Sequence, residues 1–68
     1  MSIQIQLNGE PVSLPLPLSV HALLGVFELD PRTVAVELNR VVVRRANYET
    51  AEIRDGDHVE IVAFVGGG

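Results

Sequence analysis

The apolar residues of this chain change their spacing twice within 68 positions, and that change limits the fold more than any single residue does. Ile3, Ile5 and Leu7 alternate with Gln4 and Gln6, the period of a half-buried strand. Asn8-Gly9 follows, the dipeptide best suited to the positive φ angles of a type I′ hairpin turn. The next segment, Glu10 to Leu18, is expected to return antiparallel with Val12 and Leu14 on the inner face. Its Pro11, Pro15 and Pro17 each remove a ladder donor, which makes it a short strand at a sheet edge. At Ser19 the period becomes helical. Val20, Leu23, Leu24 and Phe27 form one apolar stripe, with Ser19 as the N-cap and Asp30-Pro31 as the stop. Gly25 falls inside this helix, a weak helix former that leaves room for close packing on a sheet.

The second half returns to alternation. Val34, Val36 and Leu38 are expected to point inward from a strand, Asn39-Arg40 to turn, and Val41-Val42-Val43 to form a strand stub. Arg44 to Ile53 has no clean period and reads as an irregular connection with a short helical turn. Asp55-Gly56-Asp57 is a tight turn, and His58 to Val65 is the final strand. In that strand Ile61, Ala63 and Val65 keep the inward phase of Val59, while Val62 and Phe64 face the other way. One helix covers one face of a sheet, so Val62 and Phe64 are expected to be an exposed apolar patch that docks a partner. The order β-β-α-β-β-β in one small domain predicts an α+β fold: a mixed sheet of four to five strands with one main helix on one face.

Composition excludes much chemistry. Without cysteine there is no disulfide, thiolate metal site or cysteine nucleophile. His21 and His58 alone make a poor metal site and read as surface histidines, and Asp55 with Asp57 reads as a turn-and-cap pair. No metal site is expected. Nine acidic residues against five arginines give a net charge of −4, which disfavours nucleic acid and anionic membranes. The cluster Arg40, Arg44 and Arg45 reads as a solvated face. The start, Met1-Ser2-Ile3-Gln4, lacks a basic region and an apolar run, so no signal peptide or membrane span is expected and the location is expected to be cytoplasmic. No nucleophile–base–oxyanion set can be assembled, so the chain is not expected to be an enzyme.

Gly66-Gly67-Gly68 is the most informative segment. Glycine has the largest unfolded-state freedom, so these residues are expected to be a flexible tail on a domain spanning residues 1–65. A linker connects to something, whereas nothing follows Gly68 in this sequence. The expectation is a side-chain-free arm that presents a carboxylate to another protein's active site. A carboxylate is a poor electrophile and needs activation first.

With Asn8-Gly9, Val34-Ala35-Val36-Glu37-Leu38-Asn39, Asp55-Gly56-Asp57-His58-Val59-Glu60-Ile61-Val62 and Ala63-Phe64-Val65-Gly66-Gly67-Gly68 in order, the whole chain resembles the ubiquitin-like sulfur carriers of thiamine biosynthesis. Three positions depart from the family pattern: Arg40 where a hairpin glycine is frequent, Val43 followed by Arg44 where the family often has proline, and Tyr48 where tryptophan is common. The resemblance implies a β-grasp fold and a carrier whose site is Gly68, with Gly66 and Gly67 as its arm. It implies adenylation of the terminal carboxylate by a ubiquitin-activating-like adenylyltransferase that uses ATP and magnesium, with no cofactor bound to the carrier itself. A sulfur-donor enzyme then supplies the sulfur of a thiocarboxylate, and thiazole synthase receives it. Carriers for molybdopterin or tRNA thiolation, and a non-covalent β-grasp interaction module, are the alternatives.

Overall fold

The computed structural model describes residues 2–64. Seven strands and one helix follow one another as β1 (Ile3–Leu7), β2 (Glu10–Leu14), β3 (Leu18–Ser19), α1 (Val20–Val26), β4 (Val34–Leu38), β5 (Val41–Val43), β6 (Glu52–Ile53) and β7 (His58–Ala63). Five strands form one mixed sheet in the order β2-β1-β7-β4-β5. The first and last long strands, β1 and β7, lie parallel at its centre, and the other neighbours are antiparallel. The α+β architecture with one helix on one face is as expected.

The core follows the predicted phases. Ile3, Ile5, Leu14, Val34, Val36 and Val59 are buried from the sheet, and Val20, Leu23 and Leu24 are buried from α1. Ser19 caps the helix as predicted, its hydroxyl accepting from the Ala22 N–H at 3.0 Å. The proline-bearing strand sits at the sheet edge and ends at Leu14, four residues earlier than expected, because Pro15 and Pro17 prevent further pairing. Leu18 and Ser19 instead pair with Ile53 and Glu52, a two-stranded ribbon inside segments that show no strand period.

Both predicted hairpin turns form. Asn8 and Gly9 take φ values of 51° and 84°, and Asn39 and Arg40 take 52° and 70°. The second turn therefore adopts the same positive-φ geometry without its usual glycine, at a conformational cost of about 1 kcal/mol.

The helix ends differently from the prediction. It stops at Val26, well before Asp30-Pro31, because Glu28 turns left-handed at φ 58°. The Glu28 N–H donates to the Gly25 carbonyl at 3.1 Å and the Leu29 N–H to the Leu24 carbonyl at 2.9 Å, which is a Schellman motif with glutamate at the usual glycine position. Phe27 becomes the cap residue and is 42% exposed, so it is not the fourth core residue of the stripe. Gly25 does not allow a close approach either, since a Cβ there would meet nothing within 4 Å.

These findings give opposite substitutions with the same expected sign. Gly25→Ala removes a poor helix former without a clash, and Glu28→Gly relieves a left-handed glutamate. Each should stabilise the chain by about 0.5–1 kcal/mol in chemical denaturation. A loss of stability in either variant would contradict the helix end described above.

Candidate functional site

The central strand β7 carries the chain toward the glycine segment, and two asparagine side chains hold its ends. At the start, Asn39 Oδ1 accepts from the His58 N–H at 2.9 Å while Asn39 Nδ2 donates to Asp57 Oδ1 at 3.1 Å. Further along, Asn8 Oδ1 accepts from the Ile61 N–H at 2.8 Å and Asn8 Nδ2 donates to the Ile61 carbonyl at 3.2 Å. The amide of Asn8 thus continues the hydrogen bonding of β1, whose backbone register with β7 stops at Leu7↔Val59. Residue spacing gave Asn8 only a turn role. A contact 53 positions away leaves no local pattern in the sequence.

The Asp55-Gly56-Asp57 turn ties the other end of the sheet together, as its turn-and-cap reading requires. Asp55 Oδ1 accepts from the Gln4 N–H and Asp57 Oδ2 from the Arg54 N–H, each at 2.8 Å. Among the described residues, no group of three or more histidine, cysteine, aspartate or glutamate side chains could hold a metal ion. No helix among them is long and apolar enough to cross a membrane. His21 and His58 are exposed, and Arg40, Arg44 and Arg45 are exposed at the β5 end of the sheet.

Beyond Ile61 the strand leaves the shelter of the core. The seven-residue helix is only ~10 Å long, and its C-cap Phe27 and the following Leu29 border this end of the sheet. Ile61 is half-buried and Ala63 is exposed, so the inward phase is right but Ala63 is not a core residue. An apolar groove of about 350 Å³ opens there, lined by Leu7, Phe27, Leu29, Val34, Ile61 and Ala63. A more polar hollow of about 400 Å³ lies at the other end of β7, beside Gln4, Asp55 and His58. On the opposite face Val62 and Phe64 are 61% and 54% exposed, as the alternation predicts.

A turn of 3-10 helix over Pro31–Thr33 anchors the last described residue. The Thr33 carbonyl accepts from the Phe64 N–H at 2.8 Å. Asp30 caps that turn through the Arg32 N–H at 2.9 Å and pairs with the Arg32 guanidinium at 3.0 Å. Hydrogen bonds from the Arg32 side chain, and then from its backbone N–H, hold the Asp30 carboxyl below the ordinary carboxylate range. A depressed carboxyl supports the fold above its ordinary value, and that support is lost as pH falls through the lowered one. Val65 and the predicted carrier segment Gly66, Gly67 and Gly68 lie outside the described residues.

The sequence matches the model of the ThiS family over residues 5–68. It is 37% identical over 65 residues to the sulfur carrier protein ThiS of Bacillus subtilis (strain 168), covering 94% of this chain and 98% of that protein. It is 42% identical over 66 residues to a thiazole synthase of Paramagnetospirillum magneticum, covering 97% of this chain but only 20% of that protein. The crystal structure of the thiamine biosynthesis protein ThiS from Geobacter metallireducens superposes with a TM-score of 0.85 at 33% identity, covering 97% of this chain and all of that one. That likeness identifies the five-stranded sheet and its helix as a ubiquitin-like β-grasp.

Replacing Asn8 by glycine keeps the positive φ of the turn and deletes only the clamp on Ile61. Asn8→Gly should cost roughly 1–2 kcal/mol of stability. It should also speed hydrogen exchange at the Ile61 amide more than at Val36, deep in the neighbouring strand. Unchanged exchange at Ile61 would show that the clamp holds nothing.

Proposed function

The chain belongs to the ThiS family, and from that premise we propose that it is a sulfur carrier of thiamine biosynthesis, loaded as a thiocarboxylate on Gly68. The observation that carries this reading is the extent of the family match, which runs to residue 68 and so takes in the whole glycine segment. The role is that of a carrier and co-substrate, not of an enzyme.

In this reading the α-carboxylate of Gly68 attacks the α-phosphorus of ATP, held with magnesium in an activating adenylyltransferase, and pyrophosphate leaves. The acyl adenylate now has a good leaving group, and hydrosulfide delivered by a donor enzyme attacks the carbonyl carbon, forming the C–S bond as the C–O bond to AMP breaks and the proton goes to solvent. The resulting thiocarboxylate is a tethered sulfur nucleophile for thiazole formation. A thiazole synthase partner is supported by the P. magneticum protein of that name, which contains a segment like this chain within a longer polypeptide. Gly66 and Gly67 form the arm. Val62 and Phe64, exposed just before it, form the apolar docking patch.

Mass spectrometry tests the chemistry. Incubated with its activating enzyme, ATP, magnesium and a sulfur donor, the chain should gain the mass of one oxygen-for-sulfur exchange. Deleting Gly68, or appending one alanine, should leave the melting temperature within about a degree, because no side chain is lost from the core. Loading should fall about 10²-fold in both variants, since ~1 Å of misplacement at a reacting group has that effect. Wild-type loading rates in both variants would overturn the carrier reading and leave a non-covalent interaction module.

Docking is tested separately. Phe64→Ala should weaken binding to the activating enzyme or thiazole synthase by ~1–3 kcal/mol with little change in stability. A large stability loss with unchanged binding would make Phe64 a structural residue.

A further inference from the structure

The open face of the sheet holds two carboxylates directly across from each other. Glu37 of β4 is in register with Glu60 of β7, and residues opposite one another on antiparallel strands share a face at close range. Like charges in that position disfavour the fold, and no ion pair among the described residues offsets them. The ion pairs among the described residues are Arg32 with Asp30 and Arg54 with Glu52, and neither involves Glu37 or Glu60. Arg44 lies just past the end of β5 and makes no ion pair with them.

Apolar side chains surround these charges. Val42 of β5 is opposite Glu37 and is 66% exposed, and Ala35 is opposite the exposed Val62. The helix lies on the other side of the sheet and covers none of them. A face that retains a paired negative charge among exposed valines fits a partner that supplies the missing cation. A second copy of this chain does not fit, because face-to-face pairing would bring both carboxylate pairs together.

We propose that this open face docks a partner protein that places an arginine or lysine against Glu37 and Glu60 and apolar side chains over Val42, Val62 and Phe64. The inference rests on the carrier reading and adds to it the charge of the surface that recognises the carrier. Within that complex, water is excluded around the cation, so the interaction is far stronger than an exposed surface pair.

The test uses Glu37→Gln, Glu60→Gln and the double variant, with the activating enzyme and thiazole synthase as probes in titration calorimetry. The double variant should melt at or above the wild-type temperature. Its affinity for at least one of the two probes should fall at least about tenfold at low salt. Wild-type binding should weaken as salt is raised, and the double variant should lose most of that dependence. If Phe64→Ala weakens binding while the double variant keeps its affinity and salt dependence, the cation is overturned and the carrier reading stands. A double variant that melts lower, or a wild-type chain that sediments as a dimer through this face, would also overturn the proposal. Binding to neither probe would overturn both, and absence of sulfur loading, read separately by mass, would fall on the carrier reading alone.

Discussion

Everything in this structure depends on β7 occupying the centre of the sheet, between β1 and β4. That slot lies between the two hairpins, β1–β2 on one side and β4–β5 on the other. Its parallel contact with β1 is short, with register through Gln6↔His58 and Leu7↔Val59. Parallel pairing over so few residues is weak support for a central strand. The asparagines of the two hairpin turns extend it. Asn39 satisfies the first backbone amide of β7, and Asn8 satisfies both backbone groups of Ile61. Asparagine suits both tasks, because it tolerates the positive φ of the turn and carries a donor and an acceptor on one short side chain.

The same arrangement explains why this end of the domain is bare. A seven-residue helix buries Val20, Leu23 and Leu24 against the middle of the sheet and then stops at the left-handed Glu28. The final residues of the strand, Val62 and Ala63, are exposed on their two faces. On one side lies the groove beside Phe27 and Leu29, and on the other the exposed Val62 and Phe64. The Phe64 N–H donates to the Thr33 carbonyl at the end of the described residues. A longer helix would bury more apolar area and give a more stable domain. It would also close the surface on which the carrier reading relies.

Alternation and capping chemistry are local signals, and they were legible. The strand phases of Ile3, Ile5, Val34, Val36 and Val59, the Ser19 cap and the Asn8-Gly9 turn follow from neighbours within a few residues. What escaped was non-local or disguised. Glutamate at position 28 gives no hint of a left-handed helix end, because that conformation is ordinarily marked by glycine or asparagine. The β3–β6 ribbon pairs two residues with two, too few to show a period. Val62 and Phe64 could be placed on the open face from strand phase alone. The opposition of Glu37 to Glu60 could not, since it requires the register between two strands that are twenty residues apart.

A chain without cysteine cannot hold sulfur on a side-chain thiol. In the carrier reading sulfur is carried instead on the main-chain carbonyl carbon of Gly68. That choice separates chemistry from folding. The core is built from Ile3 to Val59, whereas the carrier segment has no side chains to contribute to it. In that reading, substitutions in the glycines would abolish loading without unfolding the domain, and core substitutions would lower stability without touching the reacting carbon. Recognition must be carried by the domain surface instead, because glycines offer a partner only backbone. The exposed valines, Phe64 and the unpaired carboxylates of the open face are the side chains placed to provide it.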